Sequence, residues 1–132
     1  MDSPVSGFSH LQLMVSDLAR SEAWYQAALG LRRFAGGADT GYLAMSGAGG
    51  RFAVVLSPLQ TAALTDPAPG LDHLAFAVPS LALLSSWADA LAEAGIKHEG
   101  LVTSGEGTSL HLVDPDGLAI ELITAEKAPT TP

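Results

Sequence analysis

Three side chains of this 132-residue sequence have the types and positions to hold a divalent metal ion: His10, His73 and Glu121. Each histidine sits in a short apolar run that alternates as a strand does, Phe8-Ser-His-Leu-Gln-Leu-Met-Val15 and Leu71-Asp-His-Leu-Ala-Phe-Ala-Val78, and at the same place in both. A single histidine on an apolar strand is ordinarily a hydrogen-bonded core residue; two at matched positions ask for a different explanation. Glu121 stands between Ile120 and Leu122, where a buried strand would carry another aliphatic residue. A carboxylate there must face solvent or be paired, because an unpaired buried charge is too costly. Two imidazoles and one carboxylate leave positions on the ion open for water or substrate, the arrangement that suits Fe, Mn, Ni or Zn. The chain has no cysteine, so any metal must be held by His and carboxylates.

A fourth group, His111, belongs to the same hairpin as Glu121. Asp114-Pro-Asp-Gly117 is a turn signal, with Pro presetting φ and Gly accepting a positive φ, between two apolar runs. On strand alternation Ser109, His111 and Val113 share one face, and Ala119, Glu121 and Ile123 share one face of the next strand. With Val113 paired to Ala119 across the turn, His111 lies opposite Glu121. His111 is then the candidate acid or base, and Ser109, beside it, a candidate substrate contact. Gln12 shares the face of His10 in the same way.

The elements that must position these groups occur twice. Displacing the sequence by 63 residues superposes His10 on His73, Leu11 on Leu74, Val15 on Val78, Leu18 on Leu81 and Trp24 on Trp87. In the first copy Asp17 caps a helix from Leu18 to Leu29 that stops at Gly30, with Leu18, Trp24, Tyr25, Ala28 and Leu29 towards one side. Strands follow over 31–35, 42–46 and 52–57, the last two forming a hairpin around Gly47-Ala-Gly-Gly50. In the second copy Ser80 caps a helix over 81–94, a strand is expected over 96–103, and the hairpin of His111 and Glu121 completes the unit. The fold class is α+β: two βαβββ repeats over 1–57 and 71–132, joined by a proline-containing linker at 58–70. The two tryptophans pack helix onto sheet.

Composition narrows the partners. A net charge of −8, with only six Lys and Arg, argues against nucleic acid, anionic membrane surfaces and phosphate-rich ligands, and suits a small, mostly apolar molecule. No apolar run approaches the roughly 20 residues of a membrane span, and Met1-Asp-Ser-Pro4 lacks the basic start of a signal peptide. Cytoplasmic location is the expectation. Open sheet edges and an open cup, closed by fusion within the chain or exchange between chains, point to a homodimer.

Ser9-His10-Leu-Gln-Leu-Met-Val-Ser-Asp17, Trp24-Tyr25…Leu29-Gly30, Leu71-Asp-His73-Leu-Ala-Phe-Ala-Val78 and Asp114-Pro-Asp-Gly-Leu-Ala-Ile-Glu121 together resemble the vicinal oxygen chelate superfamily of glyoxalases, extradiol dioxygenases, epimerases, fosfomycin-resistance transferases and bleomycin-resistance proteins. The resemblance covers about residues 8–125. It implies a cupped eight-stranded mixed sheet with helices outside, and metal positions on the first and last strands of each unit: His10, Val55 (or Leu56, if the register slips), His73 and Glu121. Glyoxalase I carries a carboxylate or Gln where Val55 stands, and the epimerases are likewise four-liganded, so both activities lose a ligand here. Three-ligand members are dioxygenases and fosfomycin-type transferases. Gln12 replaces the transferases' threonine and no arginine follows Glu121, which disfavours a phosphonate substrate. Dioxygenases are usually longer chains.

The resulting expectation is a metal-dependent enzyme acting on a small molecule that offers two oxygens to the ion. Its ligands are His10, His73 and Glu121, its acid–base group His111, and its substrate contacts Gln12, Val55 and Ser109. The competing expectation is a metal-free binding protein that sequesters an aromatic drug or natural product, as bleomycin-resistance members do. His98 is expected at the surface or rim, Asp72, Asp114 and Asp116 at turns and strand ends, and Gly47–Gly50 in no ligand role.

Overall fold

The computed structural model describes residues 3, 8–59, 71 and 73–129. The chain divides into two units, residues 1–65 and 66–132. The expected linker, 58–70, lies almost wholly outside the described residues, as does Asp72.

Unit 1 contains β1 (His10–Val15), α1 (Leu18–Leu29), β2 (Arg32–Gly37), β3 (Tyr42–Ser46) and β4 (Ala53–Pro58). Helix α1 begins where the Asp17 carboxylate accepts the Arg20 N–H at 3.0 Å, and ends at Gly30, whose φ of 68° an L side chain adopts only with strain. Its buried stripe is Leu18, Ser21, Tyr25 and Ala28, with the Trp24 ring half-buried and set edge-on to Tyr25 at 4.9 Å. Leu29 is half-buried as well. The sheet order is β1-β4-β3-β2, with β1 parallel to β4 and the other pairs antiparallel. Leu43, Met45, Val54 and Leu56 turn inward and are almost completely buried, and α1 packs on β4. Truncating such a side chain to Ala costs about 2–5 kcal/mol.

Unit 2 repeats the order with β5 (His73–Ala77), α2 (Leu81–Glu93), β6 (Val102–Ser104), β7 (Gly107–Val113) and β8 (Ala119–Thr124), arranged β5-β8-β7-β6. Ser80 Oγ accepts the Leu83 N–H at 3.1 Å and starts α2, which packs on β7 and β8. Leu84, Ala88 and Leu91 of α2 are buried, as are Leu110, Leu112, Ile120 and Leu122 of the sheet. The closing turn runs as its composition implied: Asp114 is buried, and its Oδ1 accepts the N–H groups of Asp116 and Leu118 at 2.9 and 2.8 Å. Both units are therefore βαβββ modules of an α+β fold.

Two elements differ from the sequence reading. The strand expected over 96–103 forms only at Val102–Ser104. The residues before it are held by His98, which is half-buried: its Nε2 donates to the Ala88 carbonyl at 2.7 Å, and its Nδ1 accepts the Gly100 N–H at 3.1 Å. Both ring nitrogens are engaged, so the segment is held to α2 instead of extending along the sheet. The second strand runs Arg32–Gly37 rather than 31–35, with a bulge between Arg33 and Ala35. No helix among the described residues is long and apolar enough to cross a membrane.

Candidate functional site

Each sheet has one face against its helix and one face that its helix leaves open, and pleating assigns alternate residues to each. In unit 2 the open face is a grid. Strand β5 contributes His73, Ala75 and Ala77; β8 contributes Ala119, Glu121 and Ile123; β7 contributes Val113, His111 and Ser109. Because the first strand pairs with the last, His73 stands opposite Ala119 and diagonal to Glu121. Diagonal neighbours are within reach of long side chains, and here they meet: His73 Nε2 lies 3.3 Å from Glu121 Oε2. The histidine side chain is 46% exposed and the glutamate 15%.

That separation bears on metal binding. Donor atoms sharing one ion at about 2.0–2.2 Å, at tetrahedral or octahedral angles, lie about 3–3.5 Å apart. The imidazole nitrogen and carboxylate oxygen thus already have the spacing of two ligands of a single ion. Both are also the donor types that suit Fe, Mn, Ni or Zn.

On the other side of Glu121 stands His111, its direct partner across β7 and β8, in the register that follows from pairing Val113 with Ala119. The His111 ring turns away along its own strand, and its Nε2 lies 3.1 Å from Ser109 Oγ. Ser109 is buried and His111 exposed, so the hydroxyl holds the imidazole from beneath. Val113 and Val102, which pairs with Ser109, leave exposed apolar surface on the same face.

Unit 1 is built on the same grid with different chemistry. Its open face carries His10, Gln12 and Met14 on β1, Ala53, Val55 and Ser57 on β4, and Ser46, Ala44 and Tyr42 on β3. His10 is exposed, with Ser9 Oγ 3.1 Å from its Nδ1, and Gln12 Nε2 donates to Ser57 Oγ at 3.3 Å. Val55 pairs with Gln12 and Ala44 just as Glu121 pairs with Ala75 and His111, so Val55 holds the position of Glu121. Leu56 is fully buried on the helix side. Leu56 thus lies on the face opposite Val55.

Of the residues expected at the site, His73, Glu121, His111 and Ser109 share one face of unit 2, and His10, Gln12 and Val55 share one face of unit 1. Among the described residues no group of three or more His, Asp or Glu side chains is poised to hold an ion. Unit 1 also has a cleft of about 320 Å³ lined by Ser9, Phe34, Ser46, Arg51, Phe52 and Ala53. Sequence reading gave Phe34, Arg51 and Phe52 no role. The signal available there was an Arg-Phe pair leaving a glycine-rich hairpin loop.

Residues 7–122 match the family profile described as the Glyoxalase/Bleomycin resistance protein/Dioxygenase superfamily. No curated protein has significant sequence similarity to the chain. Among solved structures, a glyoxylase/bleomycin resistance protein/dioxygenase domain from Frankia sp. EAN1pec is 29% identical, with 95% of this chain and 96% of that one covered at a TM-score of 0.75. Lactoylglutathione lyase from Agrobacterium tumefaciens is 22% identical, with coverages of 92% and 96% and a TM-score of 0.75. TnmS3, an antibiotic binding protein from Streptomyces sp. CB03234, is 21% identical, with coverages of 93% and 98% and a TM-score of 0.72. The last two likenesses show a shared fold.

Proposed function

The chain belongs to the Glyoxalase/Bleomycin resistance protein/Dioxygenase superfamily, and on that footing we propose that it is a divalent-metal-dependent enzyme acting on a small molecule that offers two oxygens to the ion. The observation that carries this reading is the His73 Nε2 to Glu121 Oε2 separation of 3.3 Å on an open sheet face. In this proposal His10, at the matching position of the other unit, is the third ligand, supplied by the same chain or by a second copy in a homodimer. Bound there, the ion would act as a Lewis acid on substrate oxygen.

The remaining steps belong to the chain's own residues. His111 is one strand from Glu121, exposed, and held by Ser109, so a proton leaving or reaching the substrate passes through its imidazole. Ser109 orients that ring and takes the other end of the proton path. Apolar surface at Val102 and Val113 excludes water from one side of a bound molecule. Val55 leaves one ligand position without a side-chain donor, which gives the substrate room to reach the ion.

The composition supports a cytoplasmic protein that binds neither nucleic acid nor membrane. The fold likeness to an antibiotic binding protein supports a second reading, in which the same open faces hold an aromatic drug or natural product without metal. A small-molecule screen with chelator-stripped protein, repeated after loading with Fe(II), Mn(II), Ni(II) or Zn(II), separates the two. Turnover that appears only with an ion, and is lost in His111→Ala while the ion still binds, supports the enzyme. Ligand binding indifferent to the ion, with no turnover, supports the binding protein.

A further inference from the structure

The cleft of unit 1 is accounted for neither by the histidines nor by the repeat. Its floor is the row in which Ser46 pairs with Ala53 and Ala53 with His10, so it opens directly beside His10. One wall is Phe34, 62% exposed at the bulge of β2. Another is Phe52, whose ring lies so close to Gly47 that an added Cβ would come within 3.1 Å of it. The glycine lets the hairpin loop fold under the ring, which gives the glycine-rich stretch a purpose the sequence did not reveal.

The cation of the cleft is Arg51. Arg33 is paired with Glu22 at 3.0 Å, and Arg20 donates to Ser16 Oγ at 2.8 Å. Arg51 makes no hydrogen bond or ion pair with any described residue. In a chain with 14 acidic and six basic residues, a guanidinium with no partner among the described residues, in a cleft lined by two phenyl rings and two hydroxyls, is suited to an anion from outside. The matching row of unit 2, His73–Ala119–Val113, leads into the Asp114–Gly117 turn, which has neither ring nor cation, and where Asp114 is occupied by its own backbone. Among the described residues, that row of unit 2 carries no counterpart of the cleft's rings and cation.

We propose that this cleft binds a planar aromatic monocarboxylate, with its ring against Phe34 and Phe52 and its carboxylate on Arg51 and the hydroxyls of Ser9 and Ser46. Aromatic side chains favour an aromatic guest in offset or edge-on contact, and the guanidinium fork matches a carboxylate with two parallel hydrogen bonds. The volume is at the lower end of the range for small-ligand pockets, about 300–1,000 Å³, enough for one or two fused rings. A single cation suits one negative charge, which selects a carboxylate over a phosphate ester. The inference goes beyond the ion-binding reading and does not require it, because no metal ligand takes part.

The test is calorimetric titration of the protein, in the presence of a chelator, with 2-naphthoate and with its neutral counterpart 2-naphthamide. The naphthoate is expected to bind at one site per chain and the amide about tenfold more weakly, since a hydrogen bond to a charged group is lost. Arg51→Gln should abolish that preference, and Phe34→Ala should weaken both probes alike. Both side chains are exposed, and an unchanged thermal midpoint verifies that each variant folds. Failure of the naphthoate to bind, equal binding of the two probes, or an Arg51→Gln variant that keeps the preference would overturn the proposal. Because the chelator is present throughout, none of these results bears on the metal site.

Discussion

Val55 and Glu121 occupy the same position in two sheets built to one register: each sits on the last strand of its module, beside the residue two places after the module's first histidine. One position carries a methyl pair and the other a carboxylate. The repeat has therefore kept its geometry while its two halves have taken different side chains at the point where a ligand would stand.

This relationship predicts the outcome of Val55→Glu. On the proposal that both open faces serve one ion, the new carboxylate becomes a fourth ligand. Metal affinity should rise by about tenfold, the equivalent of ~1.4 kcal/mol, and native turnover should fall because a substrate position is filled. Val55 is only half-buried, so the variant should fold. Leu56→Glu, one residue along on the helix side, should not, since a charge would replace a fully buried side chain. Circular dichroism melts and metal titration of the two variants test the register and the site together.

Glu121→Gln separates stability from binding. The His73–Glu121 pair is partly solvated, and ion pairs of that kind contribute about 0–1 kcal/mol. The thermal midpoint should hardly move, whereas metal affinity should drop by at least about tenfold because an anionic donor is lost. A large loss of stability with unchanged metal binding would make Glu121 a structural residue.

The opposite behaviour is expected of His98. Removing its ring in His98→Ala breaks the bonds to Ala88 and Gly100, leaves the half-buried Gly100 N–H without its acceptor, and takes a second donor from the Ala88 carbonyl of α2. Urea unfolding should show a loss of about 1–3 kcal/mol, with metal binding unaltered.

Asp114 offers a second structural control. Asp114→Ala deprives the Asp116 and Leu118 N–H groups of their acceptor in a buried turn. The expected cost is about 1–3 kcal/mol, and Asp114→Asn, which keeps a carbonyl oxygen in place, should recover part of it.

Much of this was legible in the sequence because the signals were local and occurred twice. Asp17, Ser80 and Gly30 mark helix ends through caps that involve neighbours a few residues away, and Asp114–Gly117 sets the hairpin register that puts His111 opposite Glu121. The duplication converted two unremarkable histidines into a matched pair. What was not legible depends on contacts made at a distance. The segment 96–103 resembles a strand by composition, but the His98 ring reaches ten residues back to Ala88 and ties the segment to α2. Phe34, Arg51 and Phe52 come from a bulge and a loop exit, and only folding brings them to one cleft.

Titration calorimetry with Mn(II) and Zn(II) on chelator-stripped protein decides whether His10, His73 and Glu121 bind one divalent ion, as proposed. The parent should bind one ion per chain, with an affinity loss of at least about tenfold in each of His10→Ala, His73→Ala and Glu121→Gln, and His98→Gln should be unchanged. Equal binding by His73→Ala and the parent, or no binding by the parent, would contradict the proposal.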